Sequence, residues 1–372
     1  MRIIIIVNSL QAGGAERAAL RLAESFDQDG HEVILATWRS DSDFYKLDKS
    51  ISRINLGNYF NQSNRQLPII GKISGWLKKF HYLREIRYSI IDLNPDVVIC
   101  FEALIGSITA ISLAISRVPL IISERVNPNP DVYLPHRIAR LARPLIYRSF
   151  ATCSVQTQGF SDWVLKNWKV RAVVTPNHIP KSWISESKHF NASNKRIVSI
   201  GRIEPQKGFD ILLKAWEKLG KTKDEWSLEI VGSQHNSDYL NKLIGLSSHN
   251  VKILPPTHEV LDLLDNSTIF VSSSRFEGFP NVVLEALSRG IPTIAAISTD
   301  VVKSWAESDA LIAYEPQDVE TLVLHLKLLM NSPKARAKLS TQAINVAKNY
   351  NWDKIQRSWY QAINQAIQQK LV

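Results

Sequence analysis

Two glutamates, Glu277 and Glu285, stand eight residues apart in the stretch SSSRFEGFPNVVLEALSRGIPTIA (272–295), with Gly278, Phe279, Pro280 and Asn281 between them. Such a pair suits three roles: two carboxylates acting as acid and base, a cradle of backbone amides for an anion, or simply the first turns of a capped helix. Position narrows the choice. The run TIFVSSS (268–274) predicts a strand that stops near Ser274, and Pro280 suits a first helical position, where a missing N–H costs nothing. Glu277 then lies in the strand-to-helix loop and Glu285 more than a turn into the helix, so they do not share a helical face. Free amides around Gly278 to Val282 would form an anion site from backbone, with a carboxylate on either side to accept hydrogen bonds from hydroxyls. A hydrolytic carboxylate pair depends on a separation that spacing along the chain does not give.

Arg202 and Lys207 form a second constellation, in SIGRIEPQKGFDILLKAW (199–216). The strand predicted over RIVSIGR (196–202) runs out at Gly201 and Arg202, and a helix opens at Gly208. Both cations therefore bracket the connecting loop and can turn toward one diphosphate. The plainer reading is two solvated surface charges, and their place at a strand end argues against it. A third loop, NSLQAGGAERAAL (8–20), holds Gly13 and Gly14 between a strand and a helix beginning near Ala15. Glycine there lets backbone approach a ligand at a helix N-terminus, although a tight turn without a ligand has the same composition. Neither GxGxxG nor GxxxxGKS/T follows a predicted strand, which speaks against dehydrogenase and P-loop chemistry.

These loops need a scaffold that presents them along one edge, and the chain has the pattern of one. At 372 residues it is long enough for two domains, each with its own core. Short β-branched runs at 2–8, 32–38, 96–100 and 119–123 alternate with helical stretches from about Glu16, over 72–91 and over 104–116. The rhythm restarts at 196 and continues through 227–232, 251–255, 268–274, the helix from Pro280 and 292–296. The polar, proline-bearing stretch 176–195 between the two sets suits a linker. The expectation is an α/β protein of two doubly wound parallel sheets, 1–178 and 179–351, with a final helix over 352–372 that can pack back on the first. Folds of this kind bind ligands beyond the carboxyl ends of their strands, where all three loops lie.

An apolar share of 45% and a charged share of 22% are those of a soluble globular protein. The longest apolar candidate, LIGSITAISLAIS (104–116), falls short of the ~20 residues of a membrane span. MRIIIIVNSL reads as a buried first strand and not as a signal peptide. Cys100 and Cys153 lie in no CxxC or Cys/His spacing, which argues against a disulfide framework or zinc site and for a reducing cytoplasm. No histidine has metal-ligand spacing with another, and His178 reads as part of a hinge turn. DSD at 41–43 is too small a signal for a divalent-ion site. The net charge of +10 calls for acidic partners. Two basic stretches of the first half carry much of it: 76–91, with Lys78, Lys79, Arg84 and Arg87, and 135–149, with Arg137, Arg140, Arg143 and Arg148. Their apolar stripes suit helices packed on their own sheet. The basic faces suit an anionic membrane surface or an acidic acceptor; no nucleic-acid motif accompanies them.

At this point the residues carry a resemblance. A strand followed by EGFPN and a second Glu eight residues after the first resembles the E-x7-E signature of the retaining GT-B glycosyltransferases of family 4. GGAER (13–17), TPNHI (175–179), GRIEPQKGFDILLKAW and SSRFEGFPNVVLEALSRGIPTIA fall in the order of that family. LIISERVNPNP (120–130) with GGAER is similar to bacterial hexosaminyltransferases that build on undecaprenyl-diphosphate-linked sugars. The resemblance implies two Rossmann-like domains facing across a cleft, the first for the acceptor and the second for the nucleotide sugar. It implies donor-diphosphate contacts from Arg202 and Lys207, with Gly201 and the amides of Gly278 to Asn281. Glu285 would take the ribose hydroxyls, Glu277 would lie under the donor sugar, and Gly14 would line donor and acceptor. Glu124 stands where many members carry His or Asp, and either contacts the donor sugar or orients the acceptor. Glu102, after DVVIC, is the other first-domain candidate. The implied activity is transfer of a hexose or N-acetylhexosamine, from a UDP-sugar first, onto a lipid-linked or oligosaccharide acceptor of a surface glycan such as lipopolysaccharide or O-antigen. It would run without metal or other cofactor, at the inner face of the cytoplasmic membrane. A non-hydrolysing nucleotide-sugar epimerase and a catalytically silent sugar-nucleotide-binding subunit are the rival readings.

Overall fold

The computed structural model describes residues 1–39, 43–56, 74–127, 137–185, 194–234 and 236–371, with backbone alone at 74–80, 137–141 and 371. Met1–His178 with Ile355–Val372 forms one compact unit and Ile179–Lys354 the second. The described elements of unit 1 run β1 (Arg2–Val7), α1 (Gly14–Gln28), β2 (Glu32–Thr37), β3 (Ser52–Asn55), α2 (Ser74–Ile91), β4 (Val97–Phe101), α3 (Ala103–Ser112), β5 (Leu120–Ser123), α4 (Arg137–Ser149), β6 (Thr152–Val155), α5 (Gln158–Trp168) and β7 (Val173–Val174). Those of unit 2 run β8 (Arg196–Ile200), α6 (Phe209–Lys218), β9 (Ser227–Val231), α7 (Ser237–Leu246), β10 (Val251–Leu254), α8 (Val260–Asp265), β11 (Ile269–Ser272), α9 (Asn281–Ser288), β12 (Thr293–Ala296), α10 (Asp300–Glu307), β13 (Ile312–Tyr314), α11 (Val319–Asn331) and α12 (Pro333–Ala347). A last helix, α13 (Trp352–Leu371), follows.

Both sheets are wound from the middle outward, in the order β3-β2-β1-β4-β5-β6-β7 and β10-β9-β8-β11-β12-β13. The pairings are parallel, with Ile4 opposite both Ile34 and Val98, and Phe270 opposite both Val198 and Thr293. Helices cover both faces, so the strands read as unbroken apolar runs: Ile3 to Ile6 have no exposed surface. In unit 2, Ile197, Ile269 and Val271 enter one core while Val198, Phe270 and Ala295 enter the other, the two-residue period of a sheet sandwiched between helices. Each sheet reverses direction between its two central strands, and that switch point opens a crevice beyond their carboxyl ends. In unit 2 the loops there follow β8 and β11, the two that carry Arg202, Lys207 and Glu277.

Four strands were not evident from residue pattern: β3, β6, β7 and β13. They have two to four residues each, and β6 reads Thr-Cys-Ser-Val, so ladder pairing and not β-branched run length makes them strands. The predicted helix over 104–116 ends earlier, at Ser112. From Ile355 onward α13 packs on unit 1, where Trp359 is 1% exposed and stacks on Phe101, with ring centroids 6.4 Å apart. The Tyr360 hydroxyl donates to Asp29 at 2.8 Å and lies 2.8 Å from His31 Nε2.

At the end of unit 1, His178 is buried, with Nε2 2.8 Å from the Ser25 hydroxyl. Burial, with Arg21 nearby, lowers its pKa to about 3. The unfolded chain takes up a proton near the ordinary value of 6.5 that the folded chain refuses until about pH 3. Stability therefore falls as pH drops through that window, by about 1.4 kcal/mol per pH unit from this group. Chemical denaturation between pH 7 and pH 4 is expected to show that slope reduced by about this amount in His178→Asn; an unchanged slope would assign the acid sensitivity to other groups.

Candidate active site

Unit 2 assembles its polar loops by close backbone contact. After β8 the chain passes Gly201 and Arg202 into a single 3-10 turn, Pro205–Lys207, and Gly208 then caps α6 with φ +64°. A Cβ on Gly208 would stand 2.0 Å from the Ser273 carbonyl oxygen, so both the conformation and the space require glycine. Gly232, at the end of β9, is held as tightly: a Cβ there would lie 1.7 Å from the Gly201 carbonyl oxygen. The loop after β11 is stitched to the same turn, with Arg275 N–H donating to the Gln206 carbonyl at 2.8 Å, Gln206 Nε2 to the Phe276 carbonyl at 3.0 Å and Ser273 Oγ to the Lys207 carbonyl at 3.0 Å.

That stitching brings Lys207 and Glu277 together, 70 positions apart in the chain. Lys207 Nζ lies 2.6 Å from Glu277 Oε1, which also accepts from Ser274 Oγ at 2.6 Å. The side chains are 16% and 8% exposed, so this is a mostly buried pair. Lys207, expected to turn toward a diphosphate, thus also has a partner within the chain: two loops over one sheet edge bring a cation and a carboxylate into contact. Arg202 is 41% exposed, 3.4 Å from Glu204 Oε2 and 3.3 Å from Gln206 Oε1.

A neighbouring pair was missed from sequence. Arg275 grips Asp210 with two bonds of 3.0 Å, and the Tyr239 hydroxyl donates to the same carboxylate at 2.8 Å. Burial would raise the Asp210 carboxyl, but Arg275 and Tyr239 outweigh it and hold it well below the usual carboxylate range. The available signal was opposite charge in two loops already singled out: Asp210 sits two residues after Gly208, and Arg275 two before Glu277.

The helix behind Glu277 differs in detail from expectation. It begins at Asn281, with Pro280 as the capping residue. Pro280 has no N–H, the Asn281 N–H donates to the Phe279 carbonyl at 2.9 Å and the Glu277 N–H to the Ser298 carbonyl at 3.4 Å. The amides of Gly278, Val282 and Val283 remain without a backbone acceptor. The Phe279 side chain is core, 5% exposed with its ring 5.9 Å from both Trp305 and Tyr350, so only its backbone can serve an anion. Glu285, on the second turn, has no exposed surface.

In unit 1, Gly13 caps α1 in extended conformation and Gly14 is its first residue. Glu102, at the end of β4, adopts φ +83°, a left-handed backbone that costs a residue with a Cβ about 1–3 kcal/mol. The surrounding ladder imposes it: Glu102 N–H donates to the Ser123 carbonyl at 3.2 Å, and its own carbonyl accepts from Gly106 at 3.0 Å.

Glu124, expected to contact the donor sugar or to orient the acceptor, is buried. Its backbone continues the ladder beyond β5, with its N–H on the Ser154 carbonyl at 2.8 Å, and the side chain turns inward with no exposed surface. There it accepts from the Tyr147 hydroxyl and pairs with Arg143. Arg143, 4% exposed and with its guanidinium carbon 4.8 Å from the Trp168 ring centre, is likewise withdrawn from the surface set. Burial raises the Tyr147 and Cys153 pKa values, and the Glu124 charge adds to both. Arg84 and Arg148 are exposed and Arg87 is half-buried, while the side chains of Lys78, Lys79, Arg137 and Arg140 lie outside the described residues. Asp43 pairs with Arg53, while Asp41 and Ser42 lie outside the described residues. Among the described residues no group of three or more His, Cys, Asp or Glu side chains is placed to hold a metal ion.

Two Rossmann-like parallel sheets, the second with cations, a carboxylate and open amides at its switch point, define a protein of the GT-B class. Residues 12–182 match the model of Glycosyltransferase Family 4 and residues 181–346 that of Glycosyl transferases group 1. The chain belongs to the GT-B glycosyltransferases that combine these two halves. It is similar to an uncharacterized glycosyltransferase of Haemophilus influenzae, 26% identical over 363 residues that cover 95% of this chain and 97% of that one. It is also similar to the GalNAc-alpha-(1->4)-GalNAc-alpha-(1->3)-diNAcBac-PP-undecaprenol alpha-1,4-N-acetyl-D-galactosaminyltransferase of Campylobacter jejuni, 28% identical over 375 residues with 98% of each chain covered. Among solved structures, TarM superposes with a TM-score of 0.80 at 14% identity, covering 98% of each chain. HepE of Anabaena in complex with UDP and glucose gives 0.79 at 15%, covering 98% of this chain and 99% of that one. At these identities the structures show the fold alone.

Truncating one partner of a buried ion pair leaves the other charge stranded, at a cost of about 3–5 kcal/mol. Arg143→Ala is therefore expected to lower unfolding free energy by that amount, whereas Glu124→Gln, which retains an acceptor for Tyr147, should cost less. Neither should change the substrate KM. Chemical denaturation read beside steady-state kinetics checks both, and a raised KM in a stable Glu124→Gln would restore its contact with substrate.

Proposed function

We propose that the enzyme moves a hexose or N-acetylhexosamine from a nucleotide diphosphate sugar, a UDP-sugar first, to a lipid-linked (undecaprenyl-diphosphate) or oligosaccharide acceptor, with retention at the anomeric carbon. The observation that carries this reading is the convergence of Arg202, Lys207, Glu277 and the open amides of Gly278, Val282 and Val283 at one sheet edge. Cations and N–H donors suit a diphosphate, and the carboxylate beside them suits sugar hydroxyls. The name of the Campylobacter relative places its acceptor on diphosphoundecaprenol, and that of AmsD of Erwinia amylovora, 22% identical over 372 residues, places it in amylovoran biosynthesis.

In the proposed transfer, the bond from the anomeric carbon to the diphosphate oxygen breaks while the acceptor hydroxyl oxygen forms its bond on the same face. The hydroxyl proton passes to the departing diphosphate. Lys207 and Arg202 offset the charge that grows on that group, so the step calls for no metal ion. Glu277, positioned by Ser274, holds the donor sugar; Glu285 takes the ribose; Gly14 lines donor and acceptor, and Glu102 is the further first-domain candidate.

The membrane reading gains a feature that residue pattern did not reveal. Leu104 (62% exposed), Ile111 (50%) and Ile115 (80%), in and just after α3, and Leu145 (62%) on α4 put large apolar side chains in solvent. No helix among the described residues is long and apolar enough to cross a membrane. Exposed apolar side chains on a basic unit suit peripheral attachment to an anionic leaflet, in this reading the inner face of the cytoplasmic membrane.

Lys207→Ala is expected to reduce kcat/KM by about 10²–10³ and, by stranding Glu277, to cost about 3 kcal/mol of stability. Arg202→Ala should show a comparable kinetic loss with stability little changed. Assays with UDP-sugars and undecaprenyl-diphosphate-sugar acceptors measure this, and near wild-type kcat/KM for both variants removes the diphosphate role. Sugar interconversion without acceptor would instead identify an epimerase.

Co-sedimentation should show the protein on phosphatidylglycerol vesicles and not on phosphatidylcholine vesicles, less so in high salt. Leu104→Ser/Ile115→Ser and Arg84→Glu/Arg87→Glu should each weaken it. Equal sedimentation throughout would favour a soluble acceptor.

A further inference from the structure

At the amino end of the unit 1 sheet, away from the strand ends that carry Glu102 and Glu124, lies a pocket of about 420 Å³. That volume falls in the range of small-ligand sites. Among the described residues three cations line it, Arg148, Lys169 and Arg171, together with the amides Gln365, Gln368 and Gln369, and no carboxylate does. Gln369 fixes one wall: its Nε2 donates to the Tyr147 carbonyl at 3.3 Å, and its Oε1 accepts from Thr152 at 3.1 Å. Arg148 is aimed by its bond to the Trp168 carbonyl.

Lys169 is the least expected of the three. It ends α5 with φ +54°, a left-handed position that ordinarily goes to glycine. A lysine there accepts backbone strain and adds a cation to the pocket. The plainer account is that these cations answer the carbonyl ends of nearby helices. Three helices, α4, α5 and α13, end at this side, and each helix end carries roughly half a negative charge, about 1.5 in all against three full cations. Among the described residues the lining thus keeps a net positive charge, with amides to share the hydrogen bonding.

We propose that this pocket is a second anion site of the enzyme, one that takes a phosphate or diphosphate group. Its residues are separate from the donor cradle of unit 2, so the inference stands independently of the donor proposed above. The ligand is either a free phosphorylated metabolite or the phosphate headgroup of a lipid.

The test is calorimetry with sodium pyrophosphate and with inorganic phosphate, UDP being present throughout to occupy unit 2. A parallel sedimentation uses vesicles of phosphatidic acid in phosphatidylcholine against phosphatidylcholine alone. Wild type is compared with the double variant Lys169→Gly/Arg171→Gln, in which glycine suits the left-handed backbone and preserves the fold. Loss of two charge-assisted contacts should weaken binding by about tenfold or more in the double variant, with UDP affinity unchanged. A loss seen with pyrophosphate identifies a soluble ligand; a loss confined to phosphatidic acid vesicles identifies a headgroup. Equal binding of both probes by the two proteins, or binding of neither by wild type, overturns the proposal. The separate variant Arg202→Ala should change UDP affinity alone, so failure of the donor reading is distinguishable from failure of this one.

Discussion

Two strand-end loops of unit 2 approach each other so closely that no side chain fits between them. Gly208, in the loop after β8, abuts the Ser273 carbonyl after β11 at a distance that a Cβ atom would violate, and Gly232, after β9, braces the first loop from its other side against the Gly201 carbonyl. From that backbone contact the remaining geometry follows. The loop after β8 and the loop after β11 are joined by one main-chain hydrogen bond, from the Arg275 N–H to the Gln206 carbonyl, and by the Gln206 and Ser273 side chains on main-chain carbonyls, and these bonds set Lys207 against Glu277 and Arg275 against Asp210. A side chain at Gly208 would push the two loops apart, and two mostly buried ion pairs would lose their partners at a cost of about 3–5 kcal/mol each.

The two units treat buried charge differently, and the contrast separates chemistry from architecture. Lys207 and Glu277 keep some exposure at the sheet edge, where the diphosphate of the proposed donor would compete for the lysine. Glu124, Arg143 and Tyr147 close on one another beneath the surface, with no accessible oxygen on the carboxylate. Such a triad specifies how α4 sits on β5 and β6. Arg125 is intermediate: 8% exposed, stacked 4.0 Å from the Phe101 ring centre and 2.5 Å from Asn177 Oδ1, with its pKa lowered to about 9 by burial. Its charge is held by aromatic faces and an amide in place of an acid.

The local features of the chain were legible wherever one loop explains itself. EGFPN after a β-branched run marks a strand, a turn and a helix start, and GRIEPQKG marks another, because proline, glycine and strand-forming residues each restrict backbone angles on their own. The alternation of apolar runs with amphipathic stretches likewise announces two wound parallel sheets. Four very short strands escaped, since ladder partners and not composition stabilise them, and α13 could not be assigned to a unit until Trp359 met Phe101.

By itself, then, the amino-acid sequence determined the fold class, the two-unit layout and the loops in which the polar residues cluster, since these depend on local backbone preference and on periodic burial. Only the tertiary structure decided which charges meet. Glu124 and Glu277 are equally acidic residues in equally polar strand-end loops, yet one turns inward onto Arg143 and the other toward the sheet edge beside Lys207. That choice depends on which helix packs behind each loop. It is made by contacts between residues 19 positions apart in one case and 70 in the other, separations across which no local preference acts.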